Sequence, residues 1–397
     1  MRSKGISLTA ISVSANQDPM FTYQKTNRYF AQIARGLEKY GAEELAALGC
    51  REITPKFMGV YFDADPATLY RVNYMSRLCT RVLAQLLTFD CHSTKYLYKT
   101  ARKIDWHGLL SEKQTFAINA SVTGSHIKHS QYAALCLKDA IVDHFRDRCG
   151  IRPDVDTENP DVWFHLRIER NRAIISLDTS GGSLHRRGYR QMSVEAPMQE
   201  TVAAAIIRFS KWDGSVPLVD PLCGSGTILA EALMHYCHIP AGFLRKKFGF
   251  EMMPEFDREL WHRVRAEANG RIQRLPAGLL AGSDSSAEAV KAAQHNCRLL
   301  PHGDSISIKN KRYQEITLPR SAVIVTNPPY GIRLKQKEGA EPFIRELGDF
   351  LKRKVRGSAY LYLGKPELAK EIGLRPAWEK PLMNGGLEGV LVKLDIA

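Results

Sequence analysis

At 397 residues, 44% of them hydrophobic, the chain is long enough for two or three domains with buried cores, which excludes disordered and fibrous classes. No apolar run of about 18 residues occurs, so no membrane span is expected. The eight cysteines, at 50, 79, 91, 136, 149, 223, 237 and 297, form no Cys-x-x-Cys pair and no close disulfide spacing, which reads as reduced thiols of a cytoplasmic protein. The 56 Lys and Arg against 42 Asp and Glu leave a net charge of +14, divided about equally between residues 1–195 and 196–397. A basic excess spread over the whole body fits a large polyanion such as nucleic acid better than a small acidic metabolite.

Residues 1–27 carry Arg2 and Lys4, no acid before Asp18, and no apolar core long enough for a secretory signal. They read as a flexible tail, an organelle presequence, or an over-long start ahead of Met20. A mixed α+β unit follows. Glu43 to Leu48 reads as a helix stopped at Gly49, Gly59 to Phe62 as a strand, Ala67 to Met75 as a helix, Thr115 to Val122 as a strand and Tyr132 to Phe145 as a helix. Trp163 to Ile168 and Arg172 to Asp178 read as two strands paired through a turn at Glu169 to Asn171. Gly181-Gly182 and the run from Leu184 to Arg190 read as a linker. Beyond it, strands at Pro217 to Asp220, Leu279 to Asp284, Ser305 to Ile308, Ala322 to Thr326, Ala359 to Leu363 and Val390 to Ile396 alternate with helices at Val202 to Phe209, Thr227 to Tyr236, Ala287 to Leu299 and Phe343 to Lys354. That alternation predicts an α/β domain with a doubly wound, mostly parallel sheet.

Chemistry concentrates at the predicted strand tips. Asp220-Pro221-Leu222-Cys223-Gly224-Ser225-Gly226-Thr227 joins a strand to a helix, where open α/β sheets bind ligands, and its glycines let the backbone approach a ligand. The spacing matches neither Gly-x-Gly-x-x-Gly nor a P-loop. Asp284 ends the next strand, where a carboxylate can accept hydrogen bonds from ribose hydroxyls or cap the following helix. Asn327-Pro328-Pro329-Tyr330 follows the strand Ala322 to Thr326. Two prolines remove two N–H donors, leaving carbonyls and the Asn327 oxygen as acceptors for an exocyclic base amine, with Tyr330 as a flat face for the base. Such a clamp would hold the amine lone pair toward an electrophilic methyl group, catalysis by positioning and electrostatics. Neither His126, His129 and His144 nor His235, Cys237 and His238 matches a metal-ligand spacing, so no metal is expected.

The glycine loop with Asn-Pro-Pro-Tyr resembles the class I, S-adenosylmethionine-dependent amino-methyltransferases. Leu177 to Arg190, Ala196-Pro197, Glu200-Thr201, Ala241-Gly242-Phe243 and Phe248-Gly249-Phe250-Glu251 resemble their THUMP-domain branch, and the likeness extends back to Ala34-Arg35-Gly36-Leu37-Glu38. The nearest likeness is to bacterial enzymes that make N2-methylguanosine in large-subunit (23S) ribosomal RNA. The resemblance implies a ferredoxin-like segment at 28–68, a THUMP RNA-binding domain at 69–180 and a Rossmann-like methyltransferase domain with a mostly parallel seven-stranded sheet at 181–397. It implies that Asp220, Pro221, Cys223, Gly224, Ser225, Gly226 and Thr227 cradle the S-adenosylmethionine, that Asp284 takes its ribose and that Ala196 and Pro197 wall its pocket. Asn327, Pro328, Pro329 and Tyr330 would hold the guanine amine. Lys128, Lys138, Arg186, Arg187 and Arg190 are expected to contact RNA phosphates. In one departure from the family, Asn310-Lys311-Arg312-Tyr313-Gln314 supplies no acid for the adenine amine. In another, the chain ends at Ala397 without the second methyltransferase module of longer members, so one modification is expected. A transfer-RNA guanosine-N2 enzyme, a DNA adenine-N6 enzyme and a non-catalytic ribosome-assembly factor are the competing readings.

Overall fold

The computed structural model describes residues 21–194, 197–329 and 339–396. In its first half the order is α1 (Thr22–Thr26), β1 (Arg28–Ile33), α2 (Glu38–Ala47), β2 (Arg51–Lys56), β3 (Gly59–Asp63), α3 (Pro66–Met75), β4 (Cys79–Asp90), α4 (Thr94–Ala101), β5 (Phe116–Thr123), α5 (Ser130–Cys149), β6 (Val162–Glu169) and β7 (Arg172–Asp178). Local chemistry sets the boundaries. Asp65 accepts from Thr68 N at 2.7 Å and Pro66 opens α3, while the chain leaves α2 through Gly49 at φ 97°. The strands form one seven-stranded sheet of order β2-β3-β1-β4-β7-β6-β5, antiparallel except for β5 beside β6.

The second half runs α6 (Glu200–Ser210), β8 (Leu218–Asp220), α7 (Thr227–Tyr236), α8 (Arg258–Asn269), β9 (Leu280–Asp284), α9 (Ala287–Arg298), β10 (Ser307–Asn310), β11 (Val323–Thr326), α10 (Glu341–Lys354), β12 (Gly357–Leu363), β13 (Trp378–Asn384) and β14 (Leu387–Ile396). Its seven strands lie in the order β10-β9-β8-β11-β12-β14-β13, parallel from β10 to β12 and antiparallel at β14 and β13. The expected Rossmann-like sheet is therefore present. Chain direction along the sheet reverses at β8, so a crevice opens beyond the carboxyl ends of β8 and β11, where both strand-tip motifs emerge.

Three expectations change. Residues 21–27 are not a free tail: α1 packs on the sheet, Phe21 and Tyr23 are buried, and the Tyr23 hydroxyl donates to Glu255 Oε2 at 3.1 Å. Residues 1–20 lie outside the described chain. A division after residue 68 would fall inside α3, and β4 pairs with β1 on one side and β7 on the other, so the sheet passes unbroken from the ferredoxin-like segment into the THUMP segment.

The third change concerns 181–190, which joins the two halves as a packed segment anchored by buried side chains rather than as a free linker. Leu184, Arg187 and Tyr189 are each 2% exposed or less. Arg245 donates to the carbonyls of Ser180, Gly181 and Ser183 at 2.8–3.2 Å, and Phe250 N donates to Thr179 O at 2.7 Å. Gly249 has to be glycine here, because a Cβ would stand 1.9 Å from Asp178 O. Its neighbours Phe248 and Phe250, with Tyr70, Tyr74 and Trp261, form an aromatic cluster with ring centroids 4.5–6.3 Å apart. Each such ring, when fully buried, contributes about 2 kcal/mol. One apolar core thus runs through both halves, and a second, with Ile324, Ile344, Leu347 and Val392, lies between α10 and the second sheet.

Candidate active site

Asp220 ends β8 with 1% of its surface exposed. Its Oδ1 accepts from Thr326 Oγ1 at 2.7 Å and from Leu222 N at 3.2 Å, tying the tip of β8 to the tip of β11. Burial pushes this carboxyl up to about 7 even though both hydrogen bonds favour the charged form. The chain then turns through Gly224 and Gly226, at φ 52° and 83°, into α7. Gly226 lets α9 close in, since a Cβ on it would be 3.0 Å from Ala293 Cβ. Gly224 N donates to Asp284 Oδ2 at 3.0 Å, and Asp284 Oδ1 accepts from Ser286 N at 2.9 Å, so the two strand-tip acids frame the loop.

A cleft forms here, lined by Val194, Pro197, Met198, Asp220, Leu222, Cys223, Gly224, Ser225, Thr227, Ile228 and Asn327. It unites half of the residues expected to hold the cofactor and the base, namely Pro197, Asp220, Cys223, Gly224, Ser225, Thr227 and Asn327. Asn327 Oδ1 is buried within it without a hydrogen-bond partner among the described residues. Pro221 is buried with its carbonyl on Ser283 Oγ at 3.2 Å, and Asp284 borders the cleft through its bond to Gly224 rather than lining it. Ala196 and Tyr330 lie outside the described residues. The acceptors fit the expected ligand: Asp220 and Asp284, with no Lys or Arg in the lining among the described residues, suit a cationic sulfonium nucleoside bearing an ammonium and a ribose diol.

The expected departure near 310–314 has a structural account. Asn310 Nδ2 and Lys311 N both donate to Asp284 O, at 2.9 and 3.1 Å, Tyr313 is buried between Phe343 and Phe350, and Gln314 turns away to Glu346 at 2.8 Å. No carboxylate from this segment borders the crevice.

Two of the expected RNA contacts are corrected. Arg187 is 1% exposed and faces Glu231 at 3.3 Å, while its other nitrogens donate to Leu184 O at 2.9 Å and Arg77 O at 2.6 Å, so no phosphate can reach it. Arg190 donates to Met198 O at 2.5 Å and Thr227 Oγ1 at 3.1 Å and pairs with Glu200 at 3.4 Å; it braces the cleft wall against the start of α7. Lys128 and Arg186 are exposed, and Lys138, half-buried, lies 2.8 Å from Asp139.

Sequence reading missed Asn296. Fully buried in α9, it accepts from Gln191 N and Met192 N, at 3.0 Å each, and donates to Ser225 O at 3.0 Å and Met192 O at 2.7 Å, fastening the glycine loop to the chain leading to Pro197. Its one signal is an amide on the otherwise apolar face of Val290, Ala293 and Cys297.

Comparison with known proteins agrees with this geometry. Residues 187–393 match the family described as the RMKL-like methyltransferase domain, 91–178 a THUMP domain and 28–83 the RlmL ferredoxin-like domain. The chain is 40% identical to the "Putative RNA methyltransferase" of Synechocystis sp., over 94% of this chain and 97% of that one. It is 36% identical to the ribosomal RNA large subunit methyltransferase K/L of Syntrophotalea carbinolica, over 93% of this chain and 54% of that one. The chain thus spans about half the length of the K/L relatives it matches. Among solved structures, SMU.472, a "putative methyltransferase complexed with SAH", superposes with TM-score 0.81 at 27% identity, covering 93% of this chain and 98% of that one. A "predicted N6-adenine-specific DNA methylase" of Listeria monocytogenes superposes with TM-score 0.80 at 26% identity, covering 93% and 96%. No described helix is long and apolar enough to cross a membrane. A strand-tip cleft between the glycine loop and Asn327, a THUMP domain before it and these matches together make the chain a member of the THUMP-containing, S-adenosylmethionine-dependent RMKL-like methyltransferase family.

Proposed function

We propose that this protein methylates the exocyclic N2 amine of a guanosine in large-subunit ribosomal RNA, in the cytoplasm. The observation that carries the reading is Asn327 Oδ1, a buried acceptor with no partner among the described residues, in the same cleft as the Gly224 loop. Buried polar atoms are nearly always paired in native proteins, and an incoming base amine is a donor that would complete this one. S-adenosylmethionine supplies an electrophilic methyl group when bound. The chain's own residues do the rest. The Gly224 backbone and Asp220 receive the amino-acid end, Asp284 the ribose, and Ala196 and Pro197 close the wall. Asn327, with the donor-free carbonyls around Pro328 and Pro329, accepts hydrogen bonds from the amine and holds its lone pair in line with the methyl, and Tyr330 supports the base. No covalent enzyme intermediate is required.

RNA as the polymer is supported by the THUMP domain and the basic excess, and large-subunit RNA by the names of the K/L relatives. Exposed Lys128 precedes α5 near Tyr132, which is 59% exposed, a cation next to a ring on which a base can stack. Lys128, Lys138 and Arg186 are assigned to phosphates.

The test is nucleoside mass spectrometry of RNA from cells lacking the gene, after incubation with purified protein and labelled S-adenosylmethionine. Label in N2-methylguanosine of large-subunit RNA, absent with Asn327→Ala, is the expected result. Label confined to transfer RNA or to DNA adenine would replace the proposed substrate, and cofactor binding without label in any nucleic acid would replace the proposed reaction.

A further inference from the structure

We propose that Asp105, His107 and His144 form a divalent transition-metal site in the THUMP domain, remote in sequence from the methyltransferase motifs. Asp105 and His107 flank Trp106 at the 3-10 turn Trp106–Gly108, and His144 lies in the last turns of α5, so a spacing rule applied to the sequence does not pair them.

Three observations converge. His144 is only 7% exposed, and its Nδ1 lies 3.3 Å from Arg102 O, a carbonyl that can only accept. Nδ1 therefore carries the proton and Nε2 the lone pair, the tautomer of a metal-binding histidine whose other nitrogen is held by a backbone oxygen. That Nε2 is buried and has no hydrogen-bond partner among the described residues, and the same is true of His107 Nδ1. Both atoms stand 3.9 Å from Asp105 Oδ1, and the three lie within 4.8 Å of one another. The two rings face each other at 5.3 Å, and His107 is steadied against Phe145 at 4.2 Å.

Two imidazoles and a carboxylate with ligand atoms this far apart need an inward movement of roughly half an ångström to reach the contacts of about 2.0–2.2 Å that zinc makes, leaving a fourth position for water. Nitrogen-rich donor sets of this kind select zinc and its neighbours cobalt and nickel over magnesium or calcium. Arg148, 3.2 Å from Asp105 Oδ1, holds the carboxylate in the metal-free form; its side chain is 59% exposed and free to release it to an ion. Cys149 Sγ lies 3.8 Å from the other ring nitrogen, His107 Nε2, where it groups with Glu112, and points to Phe145 O at 3.0 Å, so it is outside the set on Nδ1. The ion would tie the turn after α4 to the end of α5.

The test is titration of zinc chloride into the full chain, tag-free and stripped with chelator, by calorimetry, with cobalt(II) absorption as a spectroscopic report on the ligands. One equivalent is expected to bind, with cobalt bands of a four-coordinate nitrogen and oxygen site and a rise in melting temperature. His144→Ala is expected to weaken binding by at least about a hundredfold, the upper end of what losing an outer-shell partner costs. Should His144→Ala fail to fold, His107→Ala decides, since its side chain is 31% exposed and tolerates truncation. His129→Ala is expected to bind as the unsubstituted chain does. Absence of stoichiometric binding, or equal binding by the unsubstituted protein and by whichever of the two variants folds, overturns the site.

Discussion

Arg187 and Glu231 are 1% and 0% exposed, and neither has water to fall back on. Arg187 comes from the segment joining the halves and Glu231 from the helix behind the glycine loop, while Tyr189 donates to the same carboxylate at 3.1 Å and Arg187 reaches across to Arg77 O at 2.6 Å. Removing one partner strands the other charge in the interior, which costs about 3–5 kcal/mol. Glu231→Leu and Arg187→Met are each expected to lose that much. In the double variant the charges leave together, an exchange that is often neutral, and what remains is the loss of Arg187's donors to two backbone carbonyls and of the acceptor for the buried Tyr189 hydroxyl, about 1 kcal/mol each. The double variant is therefore expected to lie within about 3 kcal/mol of the unsubstituted protein, giving a coupling of several kcal/mol. Urea unfolding followed by tryptophan fluorescence and checked by calorimetry measures all four proteins. A loss below about 1 kcal/mol in Glu231→Leu, or a double variant as poor as the sum of the singles, would refute the claim that this pair is a closed, water-free contact.

Asn327→Ala is expected to slow methyl transfer by about a hundredfold or more while leaving S-adenosylmethionine affinity within about threefold, because it removes a preorganised acceptor for the base rather than for the donor; single-turnover rates beside calorimetric affinities check the split. Asp220, raised to about 7 by burial, keeps its proton in the empty protein at mildly acid pH, and a cationic ligand favours the ionised form. Cofactor affinity is thus expected to rise between about pH 6 and 8 with proton release on binding, and to lose that slope in Asp220→Asn. For stability the sign is opposite: the folded chain holds a proton that the unfolded chain has already given up, so this group's contribution falls as pH rises from about 4 to 7. Lys128→Glu with Arg186→Glu is expected to weaken RNA binding and flatten its logarithmic salt dependence by about one per residue, whereas Arg187→Met is expected to leave that slope unchanged.

What could be read from the sequence depended on the reach of the contacts. The glycine loop, Asp284 and the Asn-Pro-Pro run sit at strand ends, and each carries its turn chemistry within a few neighbouring residues, so both the sheet and the cleft were legible. Strand β4 was not, although it is the longest of the described strands: burial along Cys79–Asp90 does not alternate cleanly, because its register slips between Gln85 and Leu87 and the extra residue moves the inward-facing positions by one. Strand β13, Trp-Glu-Lys-Pro-Leu-Met-Asn, reads as loop because of Pro381 and its charges, features an edge strand tolerates. Helix α8 buries only Trp261, Val264 and Ala268, and its polar remainder hides the pattern. Arg187 looked like a free cation because its carboxylate partner lies 44 residues away, and Asn296 was passed over because the chain it fastens is about a hundred residues upstream.

Strand β4 also bears on how the N-terminal half came to be one object. Its two edges are occupied by strands from two regions that family comparison names separately, 28–83 and 91–178. Cutting between those names would leave β4 or β7 with a bare row of backbone donors and acceptors, the kind of template on which chains add to one another. Shared pairing along β4 couples the two regions, so they are expected to unfold together as one cooperative unit, and a THUMP segment excised at residue 91 has to find another strand for the free edge of β7.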